Sequence, residues 1–152
     1  MDTLFKEKVI EVIAEVLELE LDEVGFNDAL VDDLGADSLD IVDLSFSLGK
    51  AFQVQMPQKS VIAYATELSG EDGLFVMNER LTEHGAQLLQ QSPFKYSAEH
   101  VFEGASLTDV YVSTTVSNWA SVSFAIKESG LAGEVVIQQY VSSFCEKLKD
   151  TV

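Results

Sequence analysis

The fold of this 152-residue chain is decided by residues 38–52, which read SLDIVDLSFSLGKAF. Ile41, Leu44, Leu48 and Phe52 recur at offsets of three and four residues, which is the spacing of one face of an α-helix. The pattern therefore predicts a helix over 38–52 with this face packed against a core.

The opposite face of this helix carries apolar residues among charges. It places Leu39 and Phe46 beside Asp40, Asp43 and Lys50. A surface that docks another protein would have this composition. The same pattern would arise if the two apolar residues were simply exposed one by one, which is common on protein surfaces. Both interpretations therefore stay open.

Residues 1–37 predict a helix followed by a long loop. Asp2 or Thr3 can cap the helix, whose apolar positions recur at helical spacing. From residue 19 to residue 37 no single period holds, and Gly25 and Gly35 interrupt the segment. A loop of about twenty residues in a compact domain is uncommon and often functional.

Ser38 lies where this acidic loop becomes the helix. A helix N-terminus offers unpaired N–H groups and the positive end of the helix dipole, so a phosphoryl group attached to this serine would be stabilised there. The alternative is structural, because Asp37 or Ser38 is an ordinary N-cap and Asp37 with Asp40 resembles a capping box.

The pattern is less regular after Pro57. It predicts a short helix over 61–68, a turn over 69–73, a helix over 83–91 capped by Thr82, and mainly irregular chain over 94–107. Residues 74–81 are ambiguous and could form a small hairpin turning at Asn78 and Glu79.

Two readings of the next segment stay open. The β-branched residues of 108–117 favour a strand, whereas Ser113, Thr114 or Thr115 could instead cap a helix that runs to Ser129. A final helix is predicted from its apolar face of Val136, Ile137, Tyr140, Val141, Phe144 and Leu148.

Charge restricts the class of partner. The chain has 26 acidic and 9 basic side chains, a net charge of −17. Such a surface repels nucleic acid and anionic lipid and favours basic patches on other proteins. The first residues show no signal peptide, and no apolar run is long enough to span a bilayer, so we expect a soluble, cytoplasmic protein without stable membrane insertion.

Catalytic and metal sites have little support in the sequence. Cys145 is the single cysteine, so no intramolecular disulfide can form. Cys145 with His84 or His100 could make a nucleophile and a base, but a half-buried thiol beside the apolar face of the last helix is the favoured reading. The two histidines and one cysteine have no metal-ligand spacing, so we expect neither catalytic residues nor a metal.

The first 57 residues resemble an acyl carrier protein. The resemblance rests on DLGADSLDIVDL at 33–44 in an order that continues through Phe52 to VQMP at 54–57. It implies that Ser38, flanked by Asp37 and Leu39, receives 4′-phosphopantetheine from coenzyme A and that the arm then holds an acyl chain as a thioester. It also implies that the protein catalyses nothing itself.

The chain departs from that family in two places. Ser45, Ser47, Gly49 and Lys50 stand where the family usually has acids, which shortens the acidic docking face to Asp37, Asp40 and Asp43. The Thr-Val that opens the final helix of the family best matches Thr115 and Val116, and 57 residues separate Pro57 from Thr115. An insertion is therefore implied, which could widen or cover the cavity for the acyl chain, serve as a partner-specific surface, or be structural elaboration.

We therefore expect an all-α, acyl-carrier-like bundle of three to four core helices. Residues 1–57 and 112–152 would form the core, and 58–111 would form an insertion that could contain a short hairpin and a helix packed on the core. The expected role is an acyl carrier in a specialised fatty-acid, lipid or polyketide pathway. Its partners would be a phosphopantetheinyl transferase and enzymes with basic patches that dock at Asp40, Asp43 and Phe46. We expect a monomer. The alternative is an unmodified acidic helical interaction module.

Overall fold

The computed structural model describes residues 1–150, which form seven α-helices and one small hairpin. In chain order these are α1 (Thr3–Leu17), α2 (Ser38–Phe52), α3 (Val61–Ser69), β1 (Val76–Met77), β2 (Arg80–Leu81), α4 (Glu83–Gln91), α5 (Leu107–Ser113), α6 (Val116–Ser129) and α7 (Gly133–Asp150). A 3₁₀ turn, Leu21–Glu23, interrupts the loop between α1 and α2. The all-α prediction is confirmed, and none of the helices in residues 1–150 is long and apolar enough to cross a membrane.

A first core forms where α1 packs on α2 and on the beginning of α6. Leu44 and Leu48 of α2 are fully buried in it, while Ile41 and Phe52 pack at its edge. The predicted core face of α2 is therefore confirmed. Phe52 also stacks on Phe5 of α1, with ring centroids 4.2 Å apart.

A second core forms around α3 and α7, which pack along each other, with α4 against α3 and the second strand of the hairpin against α4. Ile137, Val141 and Phe144 bury the predicted apolar face of α7 in this core. The two cores meet on α6, because Val116 and Ala120 belong to the first and Val122 and Ile126 to the second. Trp119 contacts both.

The division into a core of 1–57 with 112–152 and an insertion of 58–111 stays a prediction. Within it, α6 serves both cores, whereas the buried residues of α7 pack in the second one. Residues 151 and 152 of the predicted core lie outside the described residues.

The hairpin and the helix after it are confirmed. Val76 pairs with Leu81 and Met77 with Arg80, so the turn falls at residues 78–79 as predicted. The Thr82 hydroxyl then accepts a hydrogen bond from the Gly85 N–H at 3.0 Å and caps α4.

The strand that β-branched propensity favoured over 108–117 is wrong, and the alternative reading of a helix capped in this segment is confirmed. The Ser106 hydroxyl accepts from the Asp109 N–H and begins α5, and Thr115 with Asn118 forms a capping box that begins α6. Capping and the burial of Val110 outweigh the weak propensity of these residues for strands.

Candidate functional site

Ser38 is the first residue of α2 and is exposed at the domain surface. Its hydroxyl makes no hydrogen bond to any other group in residues 1–150. The residue before it, Asp37, is the N-cap and has extended backbone angles. Ser38 therefore has its hydroxyl at the surface and its backbone at the positive end of the helix dipole.

The carboxylates on both sides of Ser38 hold the helix end. Asp37 Oδ1 accepts from the Asp40 N–H at 2.9 Å, and Asp40 Oδ2 accepts from the Asp37 N–H at 3.0 Å. This is the predicted capping box, and it occupies the carboxylates without using the serine. The capping and attachment interpretations of this segment are thus compatible.

The loop before Ser38 is fixed by the end of α5. The Leu30 N–H donates to the Thr114 carbonyl at 3.0 Å, and the Asp32 N–H donates to the Val112 carbonyl at 3.2 Å. Leu30 itself is buried in the first core. No local pattern in the sequence indicates this contact, because the bonded residues are at least eighty positions apart along the chain.

The exposed face of α2 contains the predicted apolar pair. Leu39 is 76% and Phe46 67% exposed, and Asp43 is exposed between them. Val42, which the sequence reasoning missed, is 67% exposed on the same side. The Lys50 ammonium lies over the Phe46 ring, 5.5 Å from its centroid. The C-terminal end of this face is therefore positively charged, whereas its N-terminal end carries the acids.

A groove with a volume of about 1130 Å³ opens beside α2. One wall is α2, with Val42, Phe46 and Gly49, and the other includes Leu107 and Tyr111 of α5. Leu89, Phe94 and Trp119 also line it. The volume exceeds the range of about 300–1000 Å³ that small-molecule sites usually have.

Tyr96 lies in the wall of this groove and is largely removed from water. Burial raises the pKa of Tyr96 to about 12, although a hydrogen bond with Thr114 opposes the rise. Tyr96 thus keeps its neutral hydroxyl at any physiological pH, and this wall of the groove carries no charge from it.

Cys145 has the environment predicted for a packed thiol. It is half-buried against the second core, and burial raises its pKa, with Lys149 acting weakly in the opposite direction. A raised pKa lowers the fraction of reactive thiolate at neutral pH. Within residues 1–150, no three side chains of His, Cys, Asp or Glu come together as a metal site.

A comparison with protein families matches the part of the chain that contains Ser38. The family model of the phosphopantetheine attachment site matches residues 7–66. An acyl carrier protein of Clostridium acetobutylicum is 43% identical over 53 residues, which cover 35% of this chain and 69% of that protein. An acyl carrier protein of Clostridium perfringens is 37% identical over 60 residues, which cover 40% of this chain and 79% of that protein.

A third relative, the acyl carrier protein of a Sulfurovum species, is 43% identical over 58 residues, which are 38% of this chain and 77% of that protein. No solved structure matches the chain significantly. The chain covers more than two thirds of the length of each of these three relatives. The chain therefore belongs to the acyl carrier protein family, as a non-catalytic carrier with a covalently bound 4′-phosphopantetheine group.

Proposed function

We propose that Ser38 is the residue that carries the 4′-phosphopantetheine arm and that acyl chains are held on this arm as thioesters. The matched segment contains four serines, at positions 38, 45, 47 and 60. Ser45 and Ser47 are partly buried on α2, and the Ser60 hydroxyl accepts from the Ala63 N–H as the cap of α3. Ser38 alone among the four combines an exposed side chain with a hydroxyl that has no structural task.

The backbone around Ser38 supports a phosphodiester at this position. Because Asp37 satisfies the Asp40 N–H, the N–H groups of Ser38 and Leu39 are the ones in the first turn of α2 without a partner in residues 1–150. These donors and the helix dipole would stabilise the negative charge of the phosphoryl group. The arm itself supplies the thiol, and the chain supplies the anchor and the charge complementarity.

Intact mass tests this assignment. Incubation with coenzyme A and a phosphopantetheinyl transferase should add one phosphopantetheine mass to the native chain and none to Ser38→Ala. Ser38→Ala should stay folded, since Asp37 and not Ser38 caps α2. Ser45→Ala and Ser60→Ala are matched controls that should still be modified.

Two results would contradict the proposal in different ways. An addition that survives in Ser38→Ala would move the attachment to another residue. A native chain that stays unmodified by a transferase that modifies a relative would favour the alternative, an acidic interaction module that keeps the fold without the arm.

We also propose that the exposed face of α2 is where the transferase and the client enzymes dock. Asp37, Asp40 and Asp43 give it negative charge beside Ser38, and Leu39, Val42 and Phe46 give it exposed apolar area. Partners with a basic patch around an apolar pocket would fit this combination. A specialised fatty-acid, lipid or polyketide pathway and a cytoplasmic location remain part of the proposal, and the long segment after Pro57 is what supports specialisation.

A further inference from the structure

We propose that the exposed face of α2 selects its partner by charges of two signs, with Lys50 as a specificity residue. The partner is a phosphopantetheinyl transferase that places a basic side chain opposite Asp43, an apolar pocket opposite Phe46 and a carboxylate opposite Lys50. This inference rests on the proposed attachment at Ser38, and it adds to it the chemistry of the enzyme that modifies this serine.

The spacing along α2 puts the three groups on one line. Asp43 precedes Phe46 by three residues and Lys50 by seven, so the three side chains leave the helix within about 60° of one another. At 1.5 Å per residue, Lys50 is about 10 Å from Asp43 along the helix axis and about 18 Å from Ser38. A protein that lies along this face from Ser38 therefore meets the acid, the ring and the cation in this order.

Lys50 is held in place, and its charge has no carboxylate partner within the described chain. Its ammonium lies over the Phe46 ring, 5.5 Å from the centroid, and both side chains are exposed. In residues 1–150 the ion pairs with a lysine are those of Lys8 and Lys59, although the chain has 26 acidic side chains. An exposed cation that is positioned but unpaired is suited to a carboxylate on another protein.

The surroundings of Lys50 keep this end of the face positive. Lys59 also lines the groove beside α2, but an ion pair compensates its charge. Glu134 lines the groove as well, and its charge acts on Lys59. Lys127 approaches the same end of α2, where its ammonium donates to the Phe52 carbonyl at 3.0 Å. The acids beside Ser38 and the cations at the far end thus give α2 two oppositely charged ends.

The transferase is the partner that has to cover this face. Because the group is transferred to the Ser38 hydroxyl itself, the active site of the enzyme must reach Ser38 directly. A protein interface of standard size takes about 800 Å² from each partner, which is a patch about 30 Å across. The distance of about 18 Å from Ser38 to Lys50 fits within such a patch. Bases along the whole enzyme surface would meet Lys50 as a like charge, whereas a carboxylate there would attract it.

The rate of modification tests the charge that faces Lys50. The full-length chain and its variants would be modified with coenzyme A by the organism's own transferase, and kcat/KM measured from intact mass over time. Lys50→Glu should lower kcat/KM by about fivefold or more at low ionic strength, because two carboxylates then oppose each other. Lys50→Arg should stay within about twofold of the native rate, and the loss in Lys50→Glu should shrink as NaCl is added.

Lys147→Glu is the matched control. Lys147 is also an exposed lysine in the last turn of a helix, so this variant changes the net charge and the interaction with the helix dipole as Lys50→Glu does. It lies on α7, whose buried residues pack in the second core. Lys147→Glu should therefore be modified within about twofold of the native rate. The Tm of every variant is measured beside its kcat/KM.

Three results would overturn this inference and leave the attachment at Ser38 standing. A kcat/KM that rises in Lys50→Glu would mean that the transferase presents bases along the whole face. Equal effects of Lys50→Glu and Lys147→Glu would mean that the enzyme responds to net charge alone. A loss that accompanies a lower Tm and does not change with NaCl would give Lys50 a structural role at the end of α2. A native chain that the transferase leaves unmodified would contradict the proposed function and this inference together.

Discussion

At the start of α2, two carboxylates and one hydroxyl have separate tasks although they are neighbours in sequence. Asp37 and Asp40 exchange hydrogen bonds with each other's backbone N–H, which holds the first turn of the helix. Ser38 takes no part in this exchange. Because the cap does not depend on the serine, the serine can be modified without loss of the helix end. Asp43, one turn further, is exposed and caps nothing.

This separation predicts different effects of removing two similar acids. Asp37→Ala should lower the free energy of unfolding by about 1 kcal/mol, because the N-cap bond is lost. Asp43→Ala should change it by less than about 0.5 kcal/mol, since an exposed residue without structural partners is replaced. Urea denaturation measures both.

Asp43→Ala also tests the docking surface, through the rate at which the transferase modifies the protein. If a basic patch on the transferase contacts this face, Asp43→Ala should be modified with a lower kcat/KM while its stability is unchanged. Asp43→Glu, which keeps the charge, should retain the native rate. Equal rates for native, Asp43→Ala and Asp43→Glu would remove Asp43 from the docking surface.

Residue-scale features were predictable where they depend on near neighbours along the chain. Ser38, Asp37 and Asp40 lie within one helical turn, so the motif and the capping box could be read together. Val42 was missed because an isolated valine in an amphipathic helix is expected in the core. Its exposure depends on where α1 and α6 pack, which is information from distant parts of the chain.

Among the elements, helices with strong caps were predicted well and the region near α5 was not. α2 and α4 begin at the residues that their N-caps indicate. The segment of α5 was predicted as a strand or as irregular chain before a helix, because its seven residues include three that are β-branched, namely Thr108, Val110 and Val112. The backbone bonds from Leu30 and Asp32 to the residues after Val110 help to fix this helix. Such contacts cannot be read from local pattern.

The beginning of α7 is positioned by a close backbone contact at Gly133. Its N–H donates to the Gln55 carbonyl at 2.7 Å, and a Cβ at this position would lie 2.6 Å from both the Gln55 oxygen and Pro57 Cδ. These neighbours belong to the segment that leads from α2 to α3. Gly133 therefore joins the second core to the end of α2, and any side chain would force the two apart.

We accordingly expect Gly133→Ala to destabilise the protein by about 1–3 kcal/mol, the usual range for overpacking, although alanine favours helices. Gly25→Ala is the matched control. Its Cβ would approach the Asp28 carboxylate at 2.8 Å, a side chain that can rotate away, so the loss should stay below about 1 kcal/mol. Thermal and urea unfolding measure the stability of both variants. Equal losses of unfolding free energy would mean that the backbone at Gln55 can move away from the added methyl group at little cost.

At the scale of the whole molecule, the chain combines two cores through one helix. α6 contributes Val116 and Ala120 to the core that contains α2, and Val122 and Ile126 to the core that contains α7. The groove lies where the two cores meet, and Trp119 lines it between these pairs. The sequence predicted the first core from helical periodicity. The groove depends on the packing of segments far apart in the chain, so helical periodicity could not predict it.

The net charge of −17 acts on the molecule as a whole. In residues 1–150 the ion pairs with a lysine are Lys8–Glu11, at 3.7 Å, and Lys59–Glu67, so most acidic side chains in this part of the chain have no lysine partner. Along α1, Glu7, Glu11 and Glu15 repeat at i,i+4, where like charges cost about 0.2–0.5 kcal/mol per pair. Salt screens this repulsion in the folded state.

Tm should therefore rise with ionic strength, and NaCl and MgCl₂ should act alike at equal ionic strength if screening is the cause. The double variant Glu7→Gln with Glu15→Gln removes two of the 17 net negative charges and both repulsive pairs with Glu11. It should melt at a higher temperature than the native chain in low salt and respond less to added NaCl. If Tm does not change with NaCl in either protein, the acids are too far apart for their repulsion to affect stability. A rise confined to MgCl₂ would indicate that the acids bind the cation at a site, because general screening does not distinguish the two salts in this way.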